Sequence, residues 1–159
     1  MQLKLNLTHL SDTELLAKHM AQSVIANFVV TLNGNLGAGK TTLVRSILRE
    51  LGITGTIKSP TFTLVEPYQI ELLSIYHFDL YRFANEHEWY DLGFDEYFTN
   101  NSLCFIEWAD KAMGLIPQID WQINLNINGE VRIIEITTMT AKGEECLKKL
   151  TQRVDKLFN

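Results

Sequence analysis

The sequence predicts a single α/β domain over residues 1–159, with a mainly parallel central sheet flanked by helices. Three features predict this architecture. Residues 28–32 (FVVTL) form a β-branched apolar run that leads into a glycine-rich turn and an amphipathic helix, the order found in parallel α/β units. Residues 103–106 form a second buried strand. Asn128-Gly129 lies between two alternating segments and predicts an antiparallel hairpin near the C-terminus.

The N-terminal third predicts a strand, a helix, a strand and a second helix. Residues 2–7 alternate polar and apolar side chains, as a strand does. Ser11 and Glu14 fit a capping box at the start of the first helix. The second helix follows the glycine-rich turn and ends at Gly52. The expected buried positions of the two helices are Leu15, Leu16, Met20 and Val24, and then Leu43, Val44, Ile47, Leu48 and Leu51.

The remaining chain predicts five strands and two helices. The strands are expected at residues 61–68, 72–80, 102–106, 119–127 and 130–137. Asn85, with Glu88 three residues later, caps a short helix at residues 85–91. The last helix covers residues 141–157 and is expected to bury Leu147, Leu150, Val154 and Leu157. The aromatic side chains of residues 81–98 favour core packing over an interaction surface.

Composition and charge exclude several classes of protein. The 46% of hydrophobic and 21% of charged residues are typical of a globular domain. A net charge of −5 argues against a surface that holds a nucleic-acid backbone, so no DNA binding is expected. The sequence shows neither a secretory leader nor an apolar run that approaches the roughly 20 residues needed to span a bilayer. Cys104 lies in an apolar strand and is expected to be a buried thiol. These features predict a cytoplasmic protein with no membrane association.

The glycine-rich turn is a phosphate-binding motif, because GNLGAGKT fits G-x-x-x-x-G-K-[ST] at every fixed position. Its glycines let backbone N–H groups face a phosphate, and the following helix N-terminus adds partial positive charge. The motif predicts a P-loop NTPase-like domain in which Lys40 contacts the β- and γ-phosphates and the Thr41 hydroxyl binds Mg²⁺. The expected phosphate-binding residues are Gly34, Asn35, Leu36, Gly37, Ala38, Gly39, Lys40, Thr41 and Thr42.

Two carboxylates follow apolar strands and are expected to face this loop. Asp79 ends the run that begins at residue 75, and Glu107 ends the run at residues 103–106. Ligands of α/β sheets bind at the carboxyl ends of the strands, so both acids are candidates for the Mg²⁺ site and for orienting the attacking water. Their division of roles stays open. His77 shares a strand face with Asp79, and a hydrogen-bonded structural role is favoured for it over a ligand role.

Four pieces of the chain together resemble the TsaE (YjeE) family of bacterial tRNA-modification ATPases. They are GNLGAGKTT at residues 34–42, KSPTFTLVEPY at 58–68, YHFDLYR at 76–82 and FIEW at 105–108. The first piece alone indicates only an NTPase, whereas the four in this order and spacing are specific. The likeness is densest over residues 34–108 and weak in the N-terminal helix and the C-terminal part.

The resemblance implies an ATPase that is slow alone, uses ATP and Mg²⁺, and acts with the TsaB–TsaD complex. That complex places threonylcarbamoyl on the adenosine beside the anticodon, so contact with tRNA would be indirect. Lys40, Asp79 and Glu107 would be the catalytic residues, with Thr41, Asp79 and Glu107 at the metal.

The resemblance also assigns roles around the phosphates. Ser59, Pro60 and Thr61 would form a switch-like loop that senses the γ-phosphate, and Trp108 would lie near the nucleotide. Two departures from the family pattern are Asn35, where aspartate is common, and Phe62, where tyrosine is frequent. At the base and ribose end, the candidates are Arg132 and residues 11–13, which include Ser11.

Other functions share the phosphate loop. A small-molecule kinase is the main alternative, but it should carry an arginine-rich lid, and the chain has only five arginines, none clustered. A regulatory GTPase would need an N-K-x-D motif, which the sequence lacks. A nucleotide-gated binding module with incidental hydrolysis is a fourth interpretation. Arg82 is either a charge-stabilising residue or an ion-pair partner of Glu86 or Glu88.

Overall fold

The computed structural model describes residues 1–157, which form a single α/β domain. The strands within this range are β1 (Gln2–Leu7), β2 (Phe28–Asn33), β3 (Val65–Ile70), β4 (Leu73–Asp79), β5 (Ser102–Glu107), β6 (Trp121–Asn128) and β7 (Val131–Thr138). The α-helices are α1 (Leu10–Ala21), α2 (Lys40–Glu50), α3 (Glu86–Asp91) and α4 (Ala141–Val154). Two short 3₁₀ helices cover Phe94–Tyr97 and Ala109–Ala112. None of the helices in this range is long and apolar enough to cross a bilayer.

The strands form one mixed sheet in the order β1-β7-β6-β2-β5-β4-β3. Its centre is parallel, because β2 pairs in parallel with both β5 and β6, and β5 with β4. Antiparallel pairs flank this centre: β3 with β4 on one side, and β6 with β7 and β7 with β1 on the other. The predicted parallel centre and C-terminal hairpin are confirmed. The loops after β2, β4 and β5 all leave from the same edge of the sheet.

Two hydrophobic layers enclose the sheet. Helices α1, α2 and α4 cover one face, where Leu16, Leu43 and Leu147 are fully buried. The other face is covered mainly by the aromatic segment around α3, in which Trp89 and Phe94 pack edge to face at 5.3 Å. Core packing of this segment is therefore confirmed for most of its rings. Cys104 is buried as expected, and burial raises the pKa of its thiol to about 12.

The start of α1 differs from the prediction. The N-cap is His9, and the Asp12 Oδ2 accepts the backbone N–H groups of Thr8 at 2.8 Å and His9 at 2.9 Å. The predicted capping box at Ser11 and Glu14 is thus wrong by two residues. The carboxylate of Asp12 already satisfies the N–H groups that precede the helix, so Ser11 lies within the first turn and is exposed.

Other element boundaries differ as well. Residues 61–64 form a turn that ends at Leu64, whose φ of 64° lies in the left-handed region, so β3 starts only at Val65. The hairpin loop is Gly129 and Glu130, since Asn128 still pairs with Val131. Only Gly129 of these two has a positive φ, the pattern of a type II′ turn. Helix α4 ends at Val154, which leaves Leu157 exposed.

Candidate nucleotide-binding site

The loop between β2 and α2 has the backbone shape of a phosphate cradle. Gly34, Gly37 and Gly39 have φ values of 150°, 81° and 103°, which side chains rarely allow. A Cβ on Gly34 would also lie 2.5 Å from the Leu125 carbonyl oxygen of β6. Gly39 is the N-cap of α2, and its left-handed backbone turns the loop into the helix. The free N–H groups of the first turn of α2 therefore face the loop, where they suit an anion.

Lys40 extends across the mouth of this loop. Its buried ammonium donates hydrogen bonds to the carbonyl oxygens of Gly34 at 2.6 Å and Asn35 at 3.0 Å. The Nζ atom also lies 4.3 Å from the ring centroid of Trp108, a cation–π distance. Burial lowers the pKa of Lys40, while the nearby carboxylates of Glu107 and Asp79 oppose that change. A triphosphate beside Lys40 would also favour the charged form of the ammonium and so oppose the lowering of its pKa.

The two predicted carboxylates lie side by side at the ends of β4 and β5. Asp79 and Glu107 are register neighbours in the parallel pair, and both are buried. The Thr41 hydroxyl donates to the Oε2 of Glu107 at 3.0 Å, and the backbone N–H of Tyr81 donates to the Oδ1 of Asp79 at 3.0 Å. Burial raises the pKa of Asp79; the Glu107 carboxylate adds to the rise, and the Tyr81 N–H opposes it. The three residues predicted for the metal therefore converge.

One cavity of about 220 Å³ collects most of the predicted residues. Thr61 from the switch-like loop forms part of its wall, and its hydroxyl lies 2.7 Å from that of Ser59. Neither Ser59 nor Pro60 lines this cavity, and Pro60 is buried. The lining residues are Leu36, Gly37, Gly39, Lys40, Thr41, Thr42, Thr61, Asp79, Glu107 and Trp108.

A smaller cavity of about 100 Å³ continues from the phosphate site towards α1 and β7. It shares Gly39 and Thr42 with the phosphate cavity, so a nucleotide lying along the loop would extend into it. Arg132 and Thr13, two of the candidates for the base and ribose end, line this cavity, but the exposed Ser11 does not. Leu10 also lines it and was not predicted, because the helix start was placed too late.

Trp108 separates the phosphate cavity from a third cavity of about 400 Å³. Its backbone is left-handed, with φ 57° and ψ 41°, which is uncommon for a bulky residue and occurs at functional sites. The Tyr81 ring packs against it at 5.0 Å. Ala38, the remaining loop residue, is buried and directs no side chain into the phosphate cavity. The third cavity was not predicted, since its walls come from distant parts of the chain, among them Thr31, Asn33, Met113, Ile119 and Gln122.

Two residues discussed from sequence have now identified contacts. The His77 ring is buried, and its Nε2 lies 2.8 Å from the Glu107 Oε1, so the hydrogen-bonded role holds, with a site residue as partner. Strand alternation placed His77 on the face of Asp79 but gave no information on Glu107. The Arg82 guanidinium lies 4.4 Å from the ring centroid of the exposed Phe62. Glu88 instead accepts the backbone N–H of Ala84 at 2.8 Å.

The donor atoms suit Mg²⁺ that is bound together with a triphosphate. Thr41, Asp79 and Glu107 supply hard oxygen donors, which Mg²⁺ prefers. Within residues 1–157, no group of three or more His, Cys, Asp or Glu side chains is arranged to hold a metal alone. Mg²⁺ sites in proteins often use one or two carboxylates together with phosphate oxygens and water.

Comparisons with known proteins give one consistent family. A family described as threonylcarbamoyl adenosine biosynthesis protein TsaE matches residues 7–134. The chain is 45% identical over 119 residues to the tRNA threonylcarbamoyladenosine biosynthesis protein TsaE of Haemophilus influenzae, covering 75% of each protein. It is 38% identical over 159 residues to the protein of that name from Bacillus subtilis, covering 99% of each.

A solved structure agrees with this result. The crystal structure of YdiB from Bacillus subtilis has a TM-score of 0.81 to this chain at 32% identity, covering 96% of this chain and 95% of that one. The family match over residues 7–134 includes the phosphate loop, Asp79, Glu107 and Trp108. By the extent of these matches, the chain belongs to the TsaE family of threonylcarbamoyladenosine biosynthesis proteins.

Proposed function

We propose that this chain binds ATP with Mg²⁺, hydrolyses it slowly, and supports threonylcarbamoyl modification of tRNA adenosine together with the TsaB–TsaD complex. The observation that carries the proposal is the contact between Thr41 and Glu107 at 3.0 Å, at the end of a complete phosphate loop and beside Asp79. Family membership supports the tRNA pathway. A role in that pathway also favours a cytoplasmic protein that meets tRNA through its partners.

In the proposed mechanism, the loop N–H groups and Lys40 hold the phosphates while Thr41 and the carboxylates hold the metal. Bound Mg²⁺ would neutralise charge on the phosphate oxygens. Glu107 or Asp79 orients the attacking water, since both face the cavity that contains Lys40 and Thr41. Because the hydrogen-bonding groups are in place before the reaction, catalysis is mainly positional.

Slow hydrolysis by the isolated chain is expected from the charge around the phosphates. Lys40 is the one cationic side chain among the described residues that line the phosphate cavity. Fast phosphoryl-transfer enzymes add an arginine, which contributes roughly 10³- to 10⁵-fold in rate. Arg82 packs on Phe62 and does not line this cavity. A partner or a loop movement would therefore be needed for rapid turnover.

The proposal is tested by Mg²⁺-dependent ATP hydrolysis, with and without purified TsaB–TsaD complex. We expect slow turnover alone, an increase with the complex, and loss of turnover in Lys40→Ala and Glu107→Ala. Glu130→Ala, which removes an exposed carboxylate in the hairpin loop, is the matched control and should keep normal rates. Thermal unfolding of each variant verifies that it folds.

Two results would contradict the proposal. Unchanged turnover in Lys40→Ala would mean that the loop is not the active site. A rate indifferent to the complex would remove the proposed partner and favour the kinase alternative, which is then tested with small phosphate acceptors.

A further inference from the structure

Both oxygens of the Glu107 carboxylate have protein partners. The Oε2 accepts the Thr41 hydroxyl at 3.0 Å, and the Oε1 contacts the His77 Nε2 at 2.8 Å. These contacts join β4, β5 and α2 through one buried side chain, which is 2% exposed. The Thr41 contact belongs to the phosphate loop, whereas His77 lines no part of the phosphate cavity. Its hydrogen-bond distance to Glu107 links His77 to a residue that lines this cavity.

The strand register shows in which direction the Glu107 side chain extends to reach His77. In the parallel pair, Glu107 is opposite Asp79, and His77 is opposite Phe105. Glu107 thus reaches diagonally back along β4 to meet the imidazole, while its second oxygen faces α2. The terminal torsion of a glutamate is broad, so nothing in the strand itself fixes the plane of this carboxylate. Two hydrogen bonds, one to each carboxylate oxygen, restrict it.

The hydrogen-bond partners also determine which nitrogen donates. The carboxylate oxygen is an acceptor, so the His77 Nε2 carries the hydrogen. The His77 Nδ1 is buried without a hydrogen-bond partner among the described residues. An orphaned N–H there would be an unsatisfied donor, so the tautomer with its hydrogen on Nε2 fits the surroundings. Among residues 1–157, the bond to Glu107 is then the one hydrogen bond of the imidazole.

We propose that His77 is a positioning residue: its Nε2–H fixes the Glu107 carboxylate so that Oε2 faces Thr41 and the phosphates. This inference rests on the proposed function, in which Glu107 serves Mg²⁺ and the attacking water. Partners that orient a metal-site carboxylate contribute roughly 10- to 100-fold in metal affinity or activity. Loss of the donor should therefore weaken Mg²⁺-dependent nucleotide binding without affecting nucleotide binding in the absence of metal.

The test compares His77→Gln with His77→Met. The two replacements have similar length and shape and both lose the ring, but only glutamine keeps an N–H donor. Calorimetry measures the affinity for a non-hydrolysable ATP analogue in Mg²⁺ and in EDTA. We expect His77→Met to bind the analogue roughly 10- to 100-fold more weakly in Mg²⁺, with no change in EDTA. The affinity of His77→Gln in Mg²⁺ should stay within roughly threefold of that of the unchanged protein.

His19→Met is the matched control, because His19 in α1 also has a buried Nδ1 without a partner among the described residues. It should bind the analogue normally in both conditions. Equal losses in His77→Gln and His77→Met, or losses of the same size in EDTA, would overturn the positioning role in favour of packing. If His77→Met does not fold, a loss of Mg²⁺ affinity in a folded His77→Gln overturns it alone. Failure of the unchanged protein to bind the analogue would instead refute the proposed function.

Discussion

Burial makes ionisation of the Asp79 carboxyl group energetically unfavourable. Its carboxylate is 6% exposed, and one backbone N–H, from Tyr81, donates to it. Burial and the neighbouring Glu107 raise its pKa above the usual 3.8, so the ionised form is disfavoured in the folded protein without nucleotide. A bound cation would reverse this effect. The residue therefore decreases the stability of the free protein in the protonation state that the proposed function requires.

Replacing Asp79 with asparagine should stabilise the free protein at neutral pH. The amide oxygen still accepts the Tyr81 N–H, but the buried charge is gone. Because the folded pKa lies above the unfolded one, the native state binds this proton more tightly, and stability falls as pH rises from 3.8 through the folded pKa. At pH 7 we expect Asp79→Asn to melt about 2–4 °C higher, which corresponds to about 1 kcal/mol.

Thermal unfolding of both proteins without Mg²⁺, between about pH 4.5 and about pH 8, gives the measurement. The advantage of the variant should shrink towards the acidic end, and its Mg²⁺-dependent hydrolysis should fall. An advantage of the same size at every pH would show that relief of buried charge is not the cause. Asp110→Asn, which changes an exposed acid beyond β5, is the control and should show no such trend.

At the residue scale, the sequence predicts the site where chemistry depends on local spacing. The loop from Gly34 to Thr42 and the acids that end two strands are readable because each follows an apolar run. The contact of His77 with Glu107 joins residues 30 positions apart, and local periodicity does not contain it. Ser11 was misplaced for a local reason, since the cap was assigned two residues late.

The first turn of α1 depends on Asp12, not on Ser11 or Glu14. Backbone N–H groups of His9 and Thr8 lower the pKa of Asp12, so its contribution is present above pH 3.8 and is lost as pH falls through the folded value. We expect Asp12→Ala to lose about 1 kcal/mol, or about 2–4 °C in melting temperature. Ser11→Ala and Glu14→Ala should each stay within about 0.5 kcal/mol of the unchanged protein.

Thermal unfolding at pH 7 distinguishes the two capping assignments. A larger loss in Ser11→Ala than in Asp12→Ala would restore the box predicted from sequence. The Asp12 variant should also lose its difference from the unchanged protein in acid, because protonation removes the same interaction in the native carboxylate.

Element types were easier to predict than element ends. Strand and helix periods are repeated over many residues, so every predicted strand overlaps one in the structure. Ends depend on single contacts. Residues 61–64 have a strand-like composition, yet the Leu64 N–H bonds to the Pro60 carbonyl at 2.8 Å and closes a turn. The turn places Thr61 in the wall of the phosphate cavity, so this boundary error concerns a residue of the candidate site.

At the scale of the whole molecule, sheet order could be predicted only in part. Parallel pairing around β2 follows from the helices between apolar strands. The pairing of β1 with β7 joins Gln2 to Thr137, at opposite ends of the chain, and no local pattern specifies it. This topology places the loops after α2, β4 and β5 around the phosphate cavity. A partner that contacts that edge would therefore be able to detect the nucleotide.

Two adjacent residues of the loop at residues 59–62 differ in their surroundings. Thr61 lines the phosphate cavity, while Phe62 is 79% exposed and packs under the Arg82 guanidinium. A γ-phosphate that contacts Thr61 would move or hold Phe62, because the residues are adjacent. We expect the affinity for the TsaB–TsaD complex to differ by at least about fivefold between ATP-bound and ADP-bound protein, the lower range of allosteric coupling.

Two variants separate sensing from contact in a binding assay with immobilised TsaB–TsaD complex. Thr61→Val keeps the shape but removes the hydroxyl, so the affinities with ATP and ADP should become nearly equal. Phe62→Ala removes exposed apolar surface, so binding should weaken in both nucleotide states while the ratio between them persists. Leu72→Ala, at a comparably exposed leucine between β3 and β4, should change neither the affinities nor their ratio.

Equal affinity of the unchanged protein with ATP, ADP and no nucleotide would refute the coupling. A loss of the ratio in Phe62→Ala but not in Thr61→Val would move the sensing role from the hydroxyl to the aromatic ring.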